Sequence, residues 1–226
     1  MKKKELIGIL AIITIILVFL VLKILYEPNV HVKEIYLDPT DLNKQCNKEN
    51  SKSITLTRTG CMKWYIYNSD EETYTMILDH NIAVSSSFTG NKSYNSIVLG
   101  YNDVLSILTA DWKVKARLIS AEEIVDIIGY KEFNKENYDI IYFENQKHKL
   151  GRINNDRYSW LIENTYECKK LGCKNEDPEV LGYWTSTENS QQAWYVTNGY
   201  ISTDLKTISN YYGIRPVIEV SKSLID

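Results

Sequence analysis

GYWTSTENSQQAWYVTNGYIST, residues 182–203, is the stretch on which the fold turns. Gly182-Tyr183-Trp184-Thr185-Ser186-Thr187 and Ala193-Trp194-Tyr195-Val196-Thr197 are rich in aromatic and β-branched side chains, which suit a pleated, packed surface. Asn198-Gly199 follows the second run at once, and both residues tolerate the positive φ of a type I′ turn. A hairpin into Tyr200 to Thr203 is therefore predicted. Trp184 and Trp194 sit on neighbouring predicted strands; aromatic faces bind sugars and cations, but large aromatics more often fill a core, and core packing is the expectation here. Further on, Gly213-Ile214-Arg215-Pro216-Val217-Ile218-Glu219-Val220 reads as a last strand. Its proline cannot donate a ladder hydrogen bond, so the strand should lie at an edge or begin pairing after Pro216. Arg215 alternates with Val217 and Glu219, and an ion pair fixing this strand is expected of it.

Upstream, Cys61 to Tyr67 and Thr73 to Leu78 have the same strand composition and are separated by Asn68-Ser69-Asp70-Glu71-Glu72, a turn cluster, which predicts another hairpin. Val104, Leu105, Ile107, Leu108 and Trp112 fall at helical spacing, predicting a helix over Asn102–Trp112. A second helix is marked by Ser120-Ala121-Glu122-Glu123, a capping box, followed by the apolar stripe Ile124, Val125, Ile127 and Ile128 and by Gly129 at its end. Strands, then two helices, then strands again predict an α+β fold with antiparallel sheets.

The chain has 226 residues, 44% of them hydrophobic and 24% charged, enough to bury a core. Between Leu6 and Leu22 lie five Leu, six Ile, two Val and one Phe with no charge, which favours membrane insertion by about 4 to 8 kcal/mol. A cleaved signal peptide has a shorter apolar run and a small-x-small site, which Val21-Leu22-Lys23-Ile24-Leu25 does not offer. A type IV pilin leader would need a Gly-Phe cleavage pair before the run, and none is present. Lys2, Lys3 and Lys4 hold the N-terminus in the cytoplasm by the positive-inside rule. The expected organisation is a cytoplasmic tip and transmembrane signal anchor over residues 1–26, a polar stalk over 27–53, and an outer domain over 54–226.

The formal net charge is −3, and setting aside Met1–Tyr26, with its four Lys and one Glu, leaves −6 for the remainder. Nucleic acid is therefore not an expected partner, since phosphate binding needs a positive field. Four cysteines, Cys46, Cys61, Cys168 and Cys173, suit an oxidising compartment and allow three pairings, of which local pairing is expected. Neither pair has the C-x-x-C spacing of a zinc site, and His31, His80 and His148 are isolated from one another. No metal or other cofactor is expected. Asn175, Glu176, Asp177 and Glu179 form an acidic loop, read as solvated rather than as a calcium site, which needs six to eight arranged oxygens.

Arg117-Leu118-Ile119-Ser120-Ala121-Glu122-Glu123, the Trp-Thr-Ser-Thr run at 184–187, Ala193-Trp194-Tyr195-Val196 and Tyr212-Gly213-Ile214-Arg215-Pro216-Val217 together resemble the C-type-lectin-like superfamily. Within it the resemblance is to bacterial surface domains of the collagen-like-protein C-terminal type, and more distantly to formylglycine-generating enzymes. Ile119 and Ser120 stand where those families usually carry Pro-Thr. Gly60-Cys61-Met62-Lys63-Trp64 and Asp79-His80-Asn81 also resemble segments of uncharacterised membrane-anchored proteins of low-GC Gram-positive bacteria. The resemblance covers about Cys61 to Val220. It implies two helices beside antiparallel sheets, first and last strands close together, and a long loop, about Asn134 to Pro178, projecting away.

The expected function is a non-enzymatic binding or adhesion module on the bacterial cell surface, held in the membrane by its N-terminal helix and recognising an extracellular glycan or protein. Recognition in such folds tends to use the face between the Trp-Thr-Ser and Gly-Ile-Arg-Pro strands, which nominates Asn189, Gln191, Gln192, Asn198, Tyr200, Ser202 and Asp204 as an exposed contact set. Two rivals stand beside it. One is a pseudopilin-like structural subunit; the other is a copper enzyme of the formylglycine-generating type, suggested by the Cys168 to Cys173 spacing. In that family the cysteine pair lies within the final strands, whereas here it precedes Tyr183-Trp184. Gly-x-Ser-x-Gly, P-loop and His-Glu-x-x-His motifs do not occur.

Overall fold

The computed structural model describes residues 32–52, 54–84, 88–89, 92–93, 96–97, 100–137, 139–143, 157–162, 165, 182–197, 199–207 and 212–225. The apolar run 6–22, the basic tip, His31, His148, Cys168, Cys173, Asn198 and the acidic loop 175–179 lie outside the described residues. Among the described residues no helix is long and apolar enough to cross a membrane.

The fold is α+β. One sheet has the order β1 (Lys33–Leu37), β2 (Met62–Ser69), β3 (Thr73–Leu78), β12 (Pro216–Ser221), β6 (Ala116–Leu118), and every neighbouring pair is antiparallel. The second has the order β11 (Tyr212–Gly213), β8 (Gly182–Glu188), β9 (Gln192–Thr197), β10 (Tyr200–Leu205), β7 (Ile141–Tyr142). Here β11 runs parallel to β8 and the rest is antiparallel. A two-residue ladder joins β4 (Lys92–Ser93) to β5 (Ser96–Ile97).

Both predicted hairpins form, as β2–β3 and β9–β10. Side chains of these strands and of β8 and β12 alternate between two separate cores. Met62, Trp64, Met76, Leu78, Trp184, Ala193, Ile218 and Val220 enter one; Tyr65, Ile77, Tyr183, Trp194, Val196 and Val217 enter the other. This is why the strands read as nearly continuous apolar runs, since a sheet covered on both faces has no polar side to show. Trp184 and Trp194 are both fully buried, as core packing requires.

Each helix closes one core. Helix α1 (Tyr101–Leu108) supplies Tyr101 and Leu105 to the first, and α2 (Ala121–Ile128) supplies Ala121, Ile124 and Val125 to the second. The capping box of α2 is complete: the Ser120 hydroxyl accepts from Glu123 N at 3.1 Å and the Glu123 carboxylate accepts from Ser120 N at 2.7 Å. Gly129 ends the helix at φ 72°, a left-handed conformation that a Cβ disfavours. Helix α1 is shorter than its spacing predicts. The Thr109 hydroxyl bonds back to the Leu105 carbonyl at 2.7 Å, and Trp112 leaves the helix to stack edge-on against Trp64, with ring centroids 5.8 Å apart.

The predicted stalk is in large part structure. Lys33–Leu37 is the edge strand of the first sheet, with Ile35 and Leu37 facing its core. Asp38 then anchors the following loop by accepting from Thr40 N at 3.1 Å, from the Thr40 hydroxyl at 2.6 Å and from Lys44 Nζ at 2.8 Å. Burial opposes the charge on Asp38, but these donors outweigh it and hold the carboxyl below its usual range. Cys46 and Cys61 form the expected disulfide and fasten the loop to the start of β2.

Of the two arrangements expected for Pro216, the edge position does not occur, because β12 lies inside its sheet, between β3 and β6, while pairing to β3 does begin after it. The ladder to β3 begins at Val217, so no bond to β3 is asked of the missing N–H, and Pro216 faces Leu118 on the other side. The last strand thus completes the sheet of the first hairpin. The long loop does not simply project away. Ile141, Phe143, Tyr158, Trp160 and Leu161 are buried in the second core, the last two in a 3-10 turn, Ser159–Leu161.

Candidate functional site

Arg215 is fully buried and takes no part in an ion pair among the described residues, contrary to expectation. Its Nε donates to the Leu78 carbonyl at 2.5 Å, Nη1 to the Leu161 carbonyl at 2.5 Å and Nη2 to the Trp160 carbonyl at 2.7 Å. Two of these carbonyls close the 3-10 turn, where oriented peptide dipoles favour a cation. The guanidinium also lies over the Tyr183 ring, 5.2 Å from its centroid. Arg215 is a clamp between β3, β12 and the 159–161 turn.

The Asp79-His80-Asn81 segment is equally interior. His80 Nδ1 lies 2.5 Å from Asp79 Oδ1, and Nε2 lies 2.8 Å from the Thr57 carbonyl. Both ring nitrogens thus face interior partners, a carboxylate and a carbonyl, and neither is directed at a ligand. Asn81 Nδ2 reaches the Thr165 and Gly182 carbonyls at 3.2 and 3.3 Å. The two threonine hydroxyls of the Trp-Thr-Ser-Thr run are likewise structural. Thr185 donates to the Trp194 carbonyl at 2.9 Å, while Thr187 accepts from Ala121 N at 2.9 Å and donates to Glu122.

At the surface of the first sheet, Arg117 forks onto Glu123 with Nη1–Oε2 at 2.8 Å and Nη2–Oε1 at 2.7 Å, and its Nη2 lies 3.3 Å from Glu219. Tyr67 donates to Glu123 at 2.8 Å. Burial opposes ionisation of Glu123, but the Arg117 fork, Ser120 N–H and Tyr67 hydroxyl outweigh it and keep the carboxyl below its usual range.

The expected contact set divides. Asn189 is buried rather than exposed: Oδ1 accepts from Gln192 N at 2.9 Å and Nδ2 donates to the Lys135 carbonyl at 3.4 Å, closing the β8–β9 turn. Gln191 is exposed in that turn, with its carbonyl held by Lys206 N at 3.1 Å. Gln192 is half-buried and accepts from Thr203 at 3.0 Å. Thr203 pairs with Trp194, which places Gln192 on the opposite face from Tyr200, Ser202 and Asp204.

Those three share one face of β10. Ser202 is itself buried, at 7% exposure, because Tyr195 lies directly across from it. Register places Tyr142 beside Tyr200, and Trp184 beside Tyr195. The result is a ladder of rings from core to surface. Trp184 and Tyr212 are 4.4 Å apart, Tyr212 and Tyr195 stack at 4.2 Å, Tyr195 and Tyr200 meet at 6.5 Å and 67°, and Tyr200 and Tyr142 at 5.7 Å. Trp184 and Tyr212 are buried; Tyr195, Tyr200 and Tyr142 are half-buried.

Asp204 accepts from the Tyr212 hydroxyl at 2.9 Å and from Leu205 N at 2.8 Å. Burial, then Tyr195 and Asp204, raise the Tyr212 phenol; burial and Tyr195 push Tyr200 up to about 12. These phenols remain neutral donors at physiological pH. The face therefore offers π surfaces, hydroxyls and one carboxylate, the chemistry of non-covalent recognition.

A cleft of about 490 Å³ runs along β1, lined by Ile35, Leu37, Leu42, Lys33, Lys44 and Leu224 among others. Among the described residues no group of three or more His, Cys, Asp or Glu is placed to hold a metal ion. Comparison with known protein families, curated proteins and solved structures finds no match.

Proposed function

We propose that the chain is a membrane-anchored recognition module of the bacterial cell surface, with a C-type-lectin-like outer domain that binds a glycan or protein. The observation that carries this reading is the Tyr142, Tyr195, Tyr200, Ser202 and Asp204 face, where half-buried rings stand beside a carboxylate. Rigid aromatic side chains lose little entropy on contact and bury large areas, so they dominate binding surfaces. The uncharged run 6–22 behind three lysines supports the anchor, and the Cys46–Cys61 disulfide supports an oxidising exterior. The lectin-like reading draws on element order: a hairpin, two helices, a second sheet and a last strand returning beside β3.

Cells displaying the full chain, screened against arrays of glycans and matrix proteins, test the proposal. Tyr200→Ala and Tyr142→Ala should each lower retention on the ligand found while the tryptophan fluorescence of the purified full chain in micelles is unchanged. Retention unaffected by either substitution overturns the assignment to this face.

A further inference from the structure

We infer that the cleft along β1 seats an anionic phospholipid of the bilayer that holds the chain, with an acyl chain on its aliphatic floor and the phosphate at its lysine rim. This site belongs to the first sheet, not to the tyrosine face of the second, and depends only on the anchored reading of residues 6–22. The cleft has a volume of about 490 Å³, within the range of small-molecule sites. Lys33, Ile35 and Leu37 alternate along β1, so all three present to the side of the sheet that meets the first core. Leu42 from the following loop and Ile225 from the end of the chain pack against the same core, and Leu224 beside them is 45% exposed.

Three properties select the ligand class. The floor is aliphatic: Ile35, Leu37, Leu42, Leu224 and Ile225 line the cleft, and no Trp, Phe or His does. Tyr36 alternates to the opposite face of β1, so a sugar or a base finds no ring to stack on, whereas an alkyl chain is matched. The rim is cationic, since Lys33 and Lys44 line it and no Asp or Glu does among the described residues. Asp38, itself buried, takes one of the three donors of Lys44 at 2.8 Å, and the Lys44 side chain stays 45% exposed with two donors remaining. Lys33 is exposed and lies over the Tyr74 ring at 5.6 Å; Lys222 shares that ring at 5.1 Å and brings a third ammonium to the same end of β1. The third property is reach. Residues 23–32 separate Leu22 from Lys33, and at no more than about 3.6 Å per residue they hold Lys33 within about 40 Å of the apolar run. Bilayer lipid is therefore present at high effective concentration.

A zwitterionic head carries its own cation toward the lysines and loses the charge match. A metal ion finds no carboxylate in the lining. The charge of −6 beyond residue 26 opposes an anionic surface at long range, but charges are screened beyond about 8 Å, so the lysines at the cleft govern close contact.

The test is photolabelling of the full chain in phosphatidylcholine vesicles that carry a trace of either phosphatidylglycerol or phosphatidylcholine with a diazirine in one acyl chain. Adducts are mapped by peptide mass spectrometry. Beyond residue 26, adducts from the phosphatidylglycerol probe should concentrate in 33–46 and 223–225, about ten-fold above those from the phosphatidylcholine probe. Lys33→Gln should lower this labelling by about five-fold, and Leu224→Asp by about ten-fold, with the tryptophan fluorescence of both variants matching the parent. Equal adducts from the two probes, adducts beyond residue 26 that avoid these segments, or labelling unchanged in either variant overturns the inference. Binding of the array ligand lost in Leu224→Asp, without lipid adducts in the cleft, gives the cleft to that ligand and overturns it too. Residues 6–22 report on the anchor separately. If they are labelled and the cleft is not, the anchor stands and the lipid site falls; if neither is labelled, both fall; adducts in the cleft alone support the lipid site and overturn the anchor.

Discussion

Replacing Arg215 by lysine keeps the charge and removes the fork, so it isolates the clamp described above. The guanidinium makes three charge-assisted bonds to the Leu78, Leu161 and Trp160 carbonyls. One ammonium on an unbranched stem reaches one of them in good geometry, leaving two bonds unmade. Bonds to charged groups contribute about 1.5 to 3 kcal/mol each, which sets a gross loss of about 3 to 6 kcal/mol. Leu161 O retains the Tyr183 hydroxyl at 2.8 Å, so its loss is partly offset and the lower half of that range, about 3 to 4 kcal/mol, is expected. For a domain of this size that corresponds to a fall in melting temperature of about 6 to 16 °C. Urea unfolding of the full chain in micelles, followed by tryptophan fluorescence, reads the difference directly. A lysine variant within about 1 kcal/mol of the parent would refute the clamp, since a change that small is what a surface substitution does.

Three other expectations follow from the same geometry. Replacing Cys46 and Cys61 together by serine opens a loop of sequence separation 15 and should destabilise by about 3 kcal/mol on the chain-entropy account, read as the change in urea midpoint under identical conditions. Gly182→Ala would place a Cβ 1.8 Å from the Val196 carbonyl oxygen, so β8 and β9 must separate and a loss of about 3 kcal/mol or more is expected by thermal unfolding. Glu123 is depressed in the folded state, so its contribution is full above the ordinary glutamate range and is lost as pH falls through the folded value. The stability gap between the parent and Glu123→Gln should therefore be widest near neutrality and close progressively on acidification below about pH 4.5; a pH-independent gap would contradict the depressed carboxyl.

Local signals in the chain were reliable where a single physical cause acted alone. Ser120, Glu123 and Gly129 mark α2 because capping is decided within one turn. The two-residue link between Thr197 and Tyr200 sets the β9–β10 register, and that register alone places Tyr195 opposite Ser202, a contact missing from the sequence-based set. What escaped was non-local. Tyr142 and Tyr212 reach the face from segments about 60 residues before and 10 residues after β10, and no period links them to it. Arg215 was assigned a carboxylate because arginine usually finds one, whereas its partners are backbone carbonyls, which every residue carries and no sequence displays. β1 was masked by the polar residues around it, although Ile35 and Leu37 already alternate. The face that the resemblance implies does not extend to Asn189, whose amide is spent within a turn.

The position of β12 governs the order in which the molecule can be finished. It joins β3 to β6, which share no ladder with each other, yet it follows both in the chain by about 100 residues or more. A polypeptide synthesised N-terminus first therefore holds two raw sheet margins, with Ile77 and Leu118 uncovered, until residues 216–221 arrive. Incomplete chains of this protein would be sticky and protease-sensitive almost to the last moment, and a premature stop near residue 215 would leave the first sheet split in two rather than merely shortened.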